Sequence, residues 1–213
     1  MSVEREKQVA AEAAAQLVED GMAVGLGTGS TVAYMLPALA RRQLSIRCVA
    51  TSPHTEKAAR DLGLDIEPLG DIDHLDVTID GADQVAPDGW LVKGGGAAHT
   101  REKIVAALAR SFIVIVDSTK PVSALHAPIP VELLEFGLQA TMRRIEPATL
   151  RDMPKSPDGG IIADYQGAVG DPADLAAWLS ATPGLVEHGL FPPALVAMVL
   201  IGRGESVEQR VLR

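Results

Sequence analysis

A chain of 213 residues, 47% of them hydrophobic, can bury a sizeable core as one large domain or as a main domain with a smaller companion. Its formal charge of -9 excludes a general affinity for nucleic acid or anionic membranes, which need basic surface, but leaves room for a local basic pocket that takes an anionic metabolite. The single cysteine, Cys48 in the apolar run IRCVA, builds neither a disulfide framework nor a zinc site and reads as a core residue.

The opening MSVEREKQVAAEAAAQL is charged and amphipathic, unlike a secretory signal, and reads as a helix with Val9, Ala13 and Leu17 on one face. Residues 22–24 make a short apolar strand that runs into GLGTGST (25–31). Val32, Met35, Leu36 and Leu39 then repeat at the spacing of a one-sided helix. After a second strand at 46–50, Ser52-Pro53 offers an N-cap followed by proline at the first helical position, with Ala58, Ala59 and Leu62 lining that helix. Ile66 begins a short extended piece, and LDVTI (75–79) is a further strand. Pro87-Asp88-Gly89 is a tight turn leading to residues 90–93, and KGGGAAHTREK (93–103) opens a helix that runs to about residue 110. FIVIV (112–116) is apolar throughout, as in a strand buried on both faces.

This alternation predicts an α/β fold with a mostly parallel sheet and helices on both faces. Beyond about residue 128, prolines and glycines break the pattern, and a small α+β subdomain is expected over 128–204. The main domain then takes 1–127, with 205–213 returning to it. The longest apolar run, 194–201, is too short to cross a bilayer, so a soluble cytoplasmic protein is expected.

Three polar clusters fall at strand ends, where open α/β sheets bind ligands. GLGTGST turns tightly into a helix whose free amides suit a phosphate. It lacks the lysine of a P-loop, and Ser30 stands where the dinucleotide fingerprint wants a glycine. DGAD (80–83) sets two carboxylates around a glycine directly after LDVTI. In KGGGAAHTREK, three glycines expose amides between Lys93 and Glu102. Taken singly, Asp80 fits a routine Asp-Gly turn and Glu102 a favourable charge at a helix start. Together, Asp, Lys and Glu beside a phosphate cradle suit proton transfer next to a carbonyl. The five histidines show no metal-ligand spacing.

In this order, GLGTGST, ATSPHTEKAA, DGADQV, KGGGAAHTREKIVA and VDSTK resemble the motifs of the type A ribose-5-phosphate isomerases, as do the later PIPVELLEFG and GLVEHGLF. The resemblance covers nearly the whole chain. It implies a Rossmann-like α/β domain with a smaller α+β domain, and a homodimer or homotetramer. It also implies the interconversion of ribose 5-phosphate and ribulose 5-phosphate, in the non-oxidative pentose phosphate pathway, without metal or organic cofactor.

Carried over at matched positions, Glu102 is implied as the base, and Lys93 with Gly94, Gly95 and Gly96 as the group that binds sugar oxygens and the enediolate. Asp80 and Asp83, with Gly81 and Ala82 between them, are implied in ring opening and proton movement among hydroxyls. Thr28, Gly29, Ser30, Thr31 and Lys120 would hold the substrate and its phosphate, joined by Lys7 if the first helix packs near the cradle. Three departures from the family pattern stand out: Gln84 where an acid is common, His99 in place of an apolar residue, and SPDGG where an asparagine-containing stretch is usual. The alternative is a catalytically inactive sugar-phosphate sensor on the same fold; the joint presence of Glu102, Lys93, Asp80 and Asp83 favours the enzyme.

Overall fold

The computed structural model describes residues 2–212. In chain order it begins with α1 (Val3–Ala15), β1 (Ala23–Leu26), α2 (Ser30–Ala40), β2 (Arg47–Ala50), α3 (Pro53–Asp61) and β3 (Leu75–Asp80). Two short strands, β4 (Gln84–Val85) and β5 (Leu91–Val92), precede α4 (His99–Leu108) and the long β6 (Ala109–Asp117). Next come β7 (Ile129–Leu133), α5 (Leu138–Arg144), β8 (Ala148–Leu150), β9 (Ile161–Tyr165), α6 (Pro172–Ser180), β10 (Leu185–His188) and β11 (Leu190–Phe191). The chain closes with β12 (Val196–Arg203) and β13 (Ser206–Val211).

Contacts group the chain into two units. One holds the residues up to Ala82, Arg101–Lys120 and those from Ala194 on; the other holds Asp83–Thr100 and Pro121–Pro193. Asp83–Thr100 thus groups with the second unit and Ala194 onward with the first; the sequence reading set 83–100 in the main domain and 194–204 in the smaller one. The reason lies in pairing: β5 joins β11 and β12 joins β6, partners distant in sequence.

The first unit is a six-stranded sheet in the order β13-β12-β6-β3-β1-β2, parallel except for the antiparallel edge strand β13. Alternate residues divide between its faces. Val24, Leu26, Val77, Ile79, Ile113 and Ile115 pack against α1 and α2, while Ala23 and Val49 pack with Val105 of α4, to whose carbonyl Thr78 donates. The mostly parallel sheet with helices on both faces is therefore as expected. Ser52 caps α3 by accepting the Thr55 N–H at 3.1 Å, with Pro53 in the first turn, and the apolar stripe of α2 is buried at Val32, Met35, Leu36 and Leu39.

Two local expectations differ. α4 ends at Leu108, because β6 begins directly at Ala109 without a loop. In α1 the buried face is Ala10, Ala11, Ala14 and Ala15, whereas Leu17 lies beyond the helix and is 41% exposed. Hydrophobicity favoured Val9 and Leu17, but close packing favours alanine: small side chains let two backbones approach. The Arg42 guanidinium closes the far end of α1 by donating to the carbonyls of Ala15 and Val18.

The start of α1 is latched to the sheet by Glu6. Its carboxylate accepts the N–H of Ser118 just past β6 and that of Gly204 in the β12–β13 turn, both at 3.0 Å. The Ser118 hydroxyl first, then these two N–H groups, hold the Glu6 pKa well below its ordinary 4.5, at about 2. A carboxyl with a depressed folded pKa stabilises the fold above its unfolded pKa and loses that contribution as pH falls through the folded one. Glu6→Gln should therefore melt below the wild type at neutral pH, and the gap should narrow as pH falls from 4.5 towards about 2. Thermal melts across that range test this; a gap independent of pH would refute it.

The second unit is α+β. Its four-stranded antiparallel sheet, β10-β7-β9-β8, buries Ile129, Val131, Leu133, Ala163 and Tyr165 with Leu175 and Leu179 of α6. Tyr165 and Trp178 meet at a ring separation of 5.8 Å in a tilted arrangement. A separate three-stranded sheet, β11-β5-β4, carries the segment that ends at Lys93.

Candidate active site

In the first unit the chain leaves β1 for β2 on one side and returns to β3 on the other, so the crevice between the ends of β1 and β3 is a topological switch point. GLGTGST and the Asp80 end of DGAD fall there. The Asp80 carboxylate, buried at the end of β3, accepts the Thr28 N–H at 3.0 Å and the Gly81 N–H at 2.7 Å. Gly27 permits this approach: a Cβ there would stand 2.0 Å from the Asp80 carboxyl carbon. GLGTGST and Asp80 are thus one hydrogen-bonded structure.

The Thr28 hydroxyl lies within hydrogen-bond distance of Thr51 (2.8 Å), Ser52 (2.8 Å) and Thr55 (3.1 Å), and Thr55 in turn donates to the Gly27 carbonyl at 2.9 Å. This hydroxyl cluster, drawn from the segment after β2, was not picked out from the sequence, although the motif ATSPHTEKAA contains it. Past Thr28, α2 starts at Ser30 with no side-chain cap on its first turn, which leaves amides and the helix dipole for an anion. A cavity of about 360 Å³ opens beside Thr28, Gly29 and Ser30, with Val32, Leu36 and Leu62 among its walls.

Lys120 ends the turn after β6, which folds on Asp117: the Thr119 N–H donates to that carboxylate at 2.9 Å. Lys7 lies next to the Glu6 latch, which draws α1 against the same turn at Ser118. Its ammonium pairs with Glu4 at 2.8 Å, and Glu4 also takes the hydroxyl of Tyr34 on α2 at 2.7 Å. The first helix thus packs beside α2. Glu102 sits in the first turn of α4 and is buried, at 4% exposure.

In the second unit the Asp83 carboxylate accepts the Gly95 N–H at 2.8 Å, joining the second acid of DGAD to the glycine run. Lys93 is buried; its N–H donates to the Gly189 carbonyl at 2.8 Å, and its ammonium stands 5.5 Å from the centre of the Phe191 ring. Gly94 has φ of 108°, and a Cβ there would come within 2.7 Å of the ring of His99, which is fully buried. Gly95 and Gly96 are exposed.

The three departures have structural places. Gln84 brackets His126, donating to its carbonyl at 2.8 Å and accepting its N–H at 2.9 Å, so it fastens a loop. The His99 ring lies against Gly94. In SPDGG, Ser156 accepts the Gly160 N–H at 3.1 Å and turns its hydroxyl to Glu132, whose other oxygen takes the Thr100 hydroxyl. Arg151, which sequence reasoning missed along with Asp164, also reaches the glycine run, and Asp164 holds its guanidinium. No local signal marks them, since the sequence shows only one charge in a proline-rich stretch and another in an alternating strand.

The family model for Ribose 5-phosphate isomerase A (phosphoriboisomerase A) matches residues 47–206. The ribose-5-phosphate isomerase A of Caulobacter sp. (strain K31) is 42% identical, over 99% of this chain and 100% of its own. Among solved structures, the ribose 5-phosphate isomerase A of Neisseria gonorrhoeae matches with a TM-score of 0.95 at 29% identity, covering 100% of this chain and 98% of that one. A D-ribose-5-phosphate isomerase in complex with phospho-erythronic acid matches with a TM-score of 0.93 at 35% identity, over 99% of this chain and 100% of its own. Matched by the family model over most of its length, and by named enzymes from end to end, the chain belongs to the ribose 5-phosphate isomerase A family and is an isomerase of ribose 5-phosphate and ribulose 5-phosphate.

Proposed function

We propose that the isomerisation runs by proton transfer through an enediolate, with Glu102 as the base. The observation that carries this reading is a carboxylate buried to 4% exposure in the first turn of the helix that follows the glycine run. Such a base takes the C2 proton of the open-chain aldose and returns it to C1, and a positioned base contributes about 10²–10⁴-fold. Charge then develops on the substrate oxygens. The Lys93 ammonium and the N–H of the exposed Gly96 meet it as fixed donors, which need no reorganisation when the charge appears, while Gly94 and Gly95 shape the run, the Gly95 N–H being held by Asp83.

Asp80 and Asp83 handle hydroxyl protons during ring opening. The Thr28 hydroxyl and the amides of Gly29, Ser30 and Thr31, with Lys7 and Lys120, hold the phosphate at the uncapped start of α2. The relatives' names are those of an enzyme, which favours catalysis over an inactive sensor. No metal or organic cofactor enters this reading, so chelator-treated protein keeps its turnover. We place the enzyme in the cytoplasm as a homodimer or homotetramer. Among the described residues no helix is long and apolar enough to cross a membrane, and light scattering of the purified protein tests the assembly.

Isotope exchange tests the mechanism. In heavy water, ribulose 5-phosphate formed from ribose 5-phosphate should carry deuterium at C1, because a proton held on a carboxylate exchanges with solvent. Deuterium at C1 excludes a direct hydride shift, and product free of deuterium would withdraw this support for the enediolate. Phospho-erythronic acid, which a relative binds, joins a phosphate to a planar carboxylate and should compete with substrate here.

A further inference from the structure

The second unit contains a charged clamp that none of these roles uses. Arg151, one residue past β8, donates from Nη1 to the carbonyls of Gly94 at 2.8 Å and Gly95 at 3.2 Å. Its Nε and Nη2 grip both carboxylate oxygens of Asp164 on β9, at 2.8 and 2.7 Å. The pair is mostly buried, with 19% and 17% of the two side chains exposed. From other directions, Asp83 takes the Gly95 N–H at 2.8 Å and the Ala97 N–H closes on the Gly94 carbonyl at 3.0 Å.

Peptide geometry gives these contacts a consequence. In a trans peptide the C=O and the N–H point in opposite directions within one plane. The plane between Gly94 and Gly95 is held at both ends: Arg151 and Ala97 hold its oxygen, and Asp83 its N–H. The next plane joins the Gly95 carbonyl to the Gly96 N–H. Arg151 takes that carbonyl, so the N–H of the exposed Gly96 is turned away from the guanidinium. Three glycines in a row would otherwise sample more orientations than any other tripeptide. The bond from a cation also polarises the peptide and strengthens the N–H at its far end as a donor.

We infer that Arg151, anchored by Asp164, is a positioning residue for the isomerisation: it sets the Gly95–Gly96 peptide so that the Gly96 N–H faces the oxyanion of the enediolate. The inference rests on the proposal that the glycine run binds the sugar oxygens. A purely structural ion pair would change stability and leave the chemical step alone, whereas an oriented donor acts on kcat more than on KM.

The test measures kcat, KM, inhibition by phospho-erythronic acid and melting temperature for Arg151→Ala, Arg151→Lys and Asp164→Asn, with Glu102→Gln alongside. Removing one oxyanion donor costs about 10²–10³ in kcat, and a donor left in place but loosely aimed should cost about 10- to 100-fold. Arg151→Ala should show that loss with KM within about threefold, bind phospho-erythronic acid more weakly, and recover part of its kcat in millimolar guanidinium. Arg151→Lys keeps the charge without the fork and should fall between Arg151→Ala and wild type. If Arg151→Ala does not fold, Arg151→Lys and Asp164→Asn decide the matter, since both keep the bulk of the site. Near-wild-type kcat in these folded variants beside an inactive Glu102→Gln overturns the clamp alone. Full turnover by Glu102→Gln overturns the site reading beneath it.

Discussion

Glu102→Gln is expected to lower kcat by at least about 100-fold while KM stays within a few-fold. The amide fills the space of the carboxylate but has no lone pair basic enough to take a carbon-bound proton. Because Glu102 is only 4% exposed, little solvent is at hand to replace it as a base. A neutral amide is also the gentler occupant of a buried position, so the variant should fold with an unchanged circular dichroism spectrum. Steady-state kinetics with ribose 5-phosphate decides the outcome, with folding checked in the same preparation. Less than a tenfold fall in kcat would assign the base elsewhere.

The second large effect is expected at the Asp80–Gly27 contact. Asp80→Ala strips the acceptor from the Thr28 and Gly81 N–H groups in a buried place, at a cost of roughly 1–3 kcal/mol for each donor left unpaired. Asp80→Asn keeps an oxygen for those two donors and should retain most of the stability, yet lose activity with the carboxylate's capacity for protons. Gly27→Ala reaches the same carboxylate from the other side, since its methyl would stand 2.0 Å from the carboxyl carbon. It should reproduce the structural loss of Asp80→Ala with Asp80 still present. Denaturant curves for the three variants, read beside kcat/KM, separate the two roles. Equal stability in all three and the wild type would refute the coupling.

The parts of the molecule that were legible in the sequence are those governed by short spacing. The stripe of Val32, Met35, Leu36 and Leu39, the cap at Ser52 and the apolar run from Phe112 to Val116 each state their structure within a few residues. The strand ends that carry Thr28 and Asp80 were legible too, because an α/β alternation says where strands end, though not that these two residues meet. What could not be read depends on pairing at a distance. Arg151 reaches Gly94 across 57 residues, and nothing near either residue marks the other. The alanine face of α1 escaped for a different reason: hydrophobic scales rank side chains by transfer from water, whereas close approach of backbones selects by size.

Cys48 in β2 has a practical consequence. It is fully buried, and burial first, with the nearby charges of Asp65 and Glu67, pushes its thiol up to about 12. As the chain's only cysteine it cannot form a bridge within the chain, and while the sheet is closed it presents no thiolate to an alkylating reagent. Every labelling event must wait for that strand to open. The rate at which a thiol probe enters thus serves as a clock for the opening of the first unit alone, with no engineered label. The same clock, run with and without phospho-erythronic acid, reads how far a bound ligand slows it.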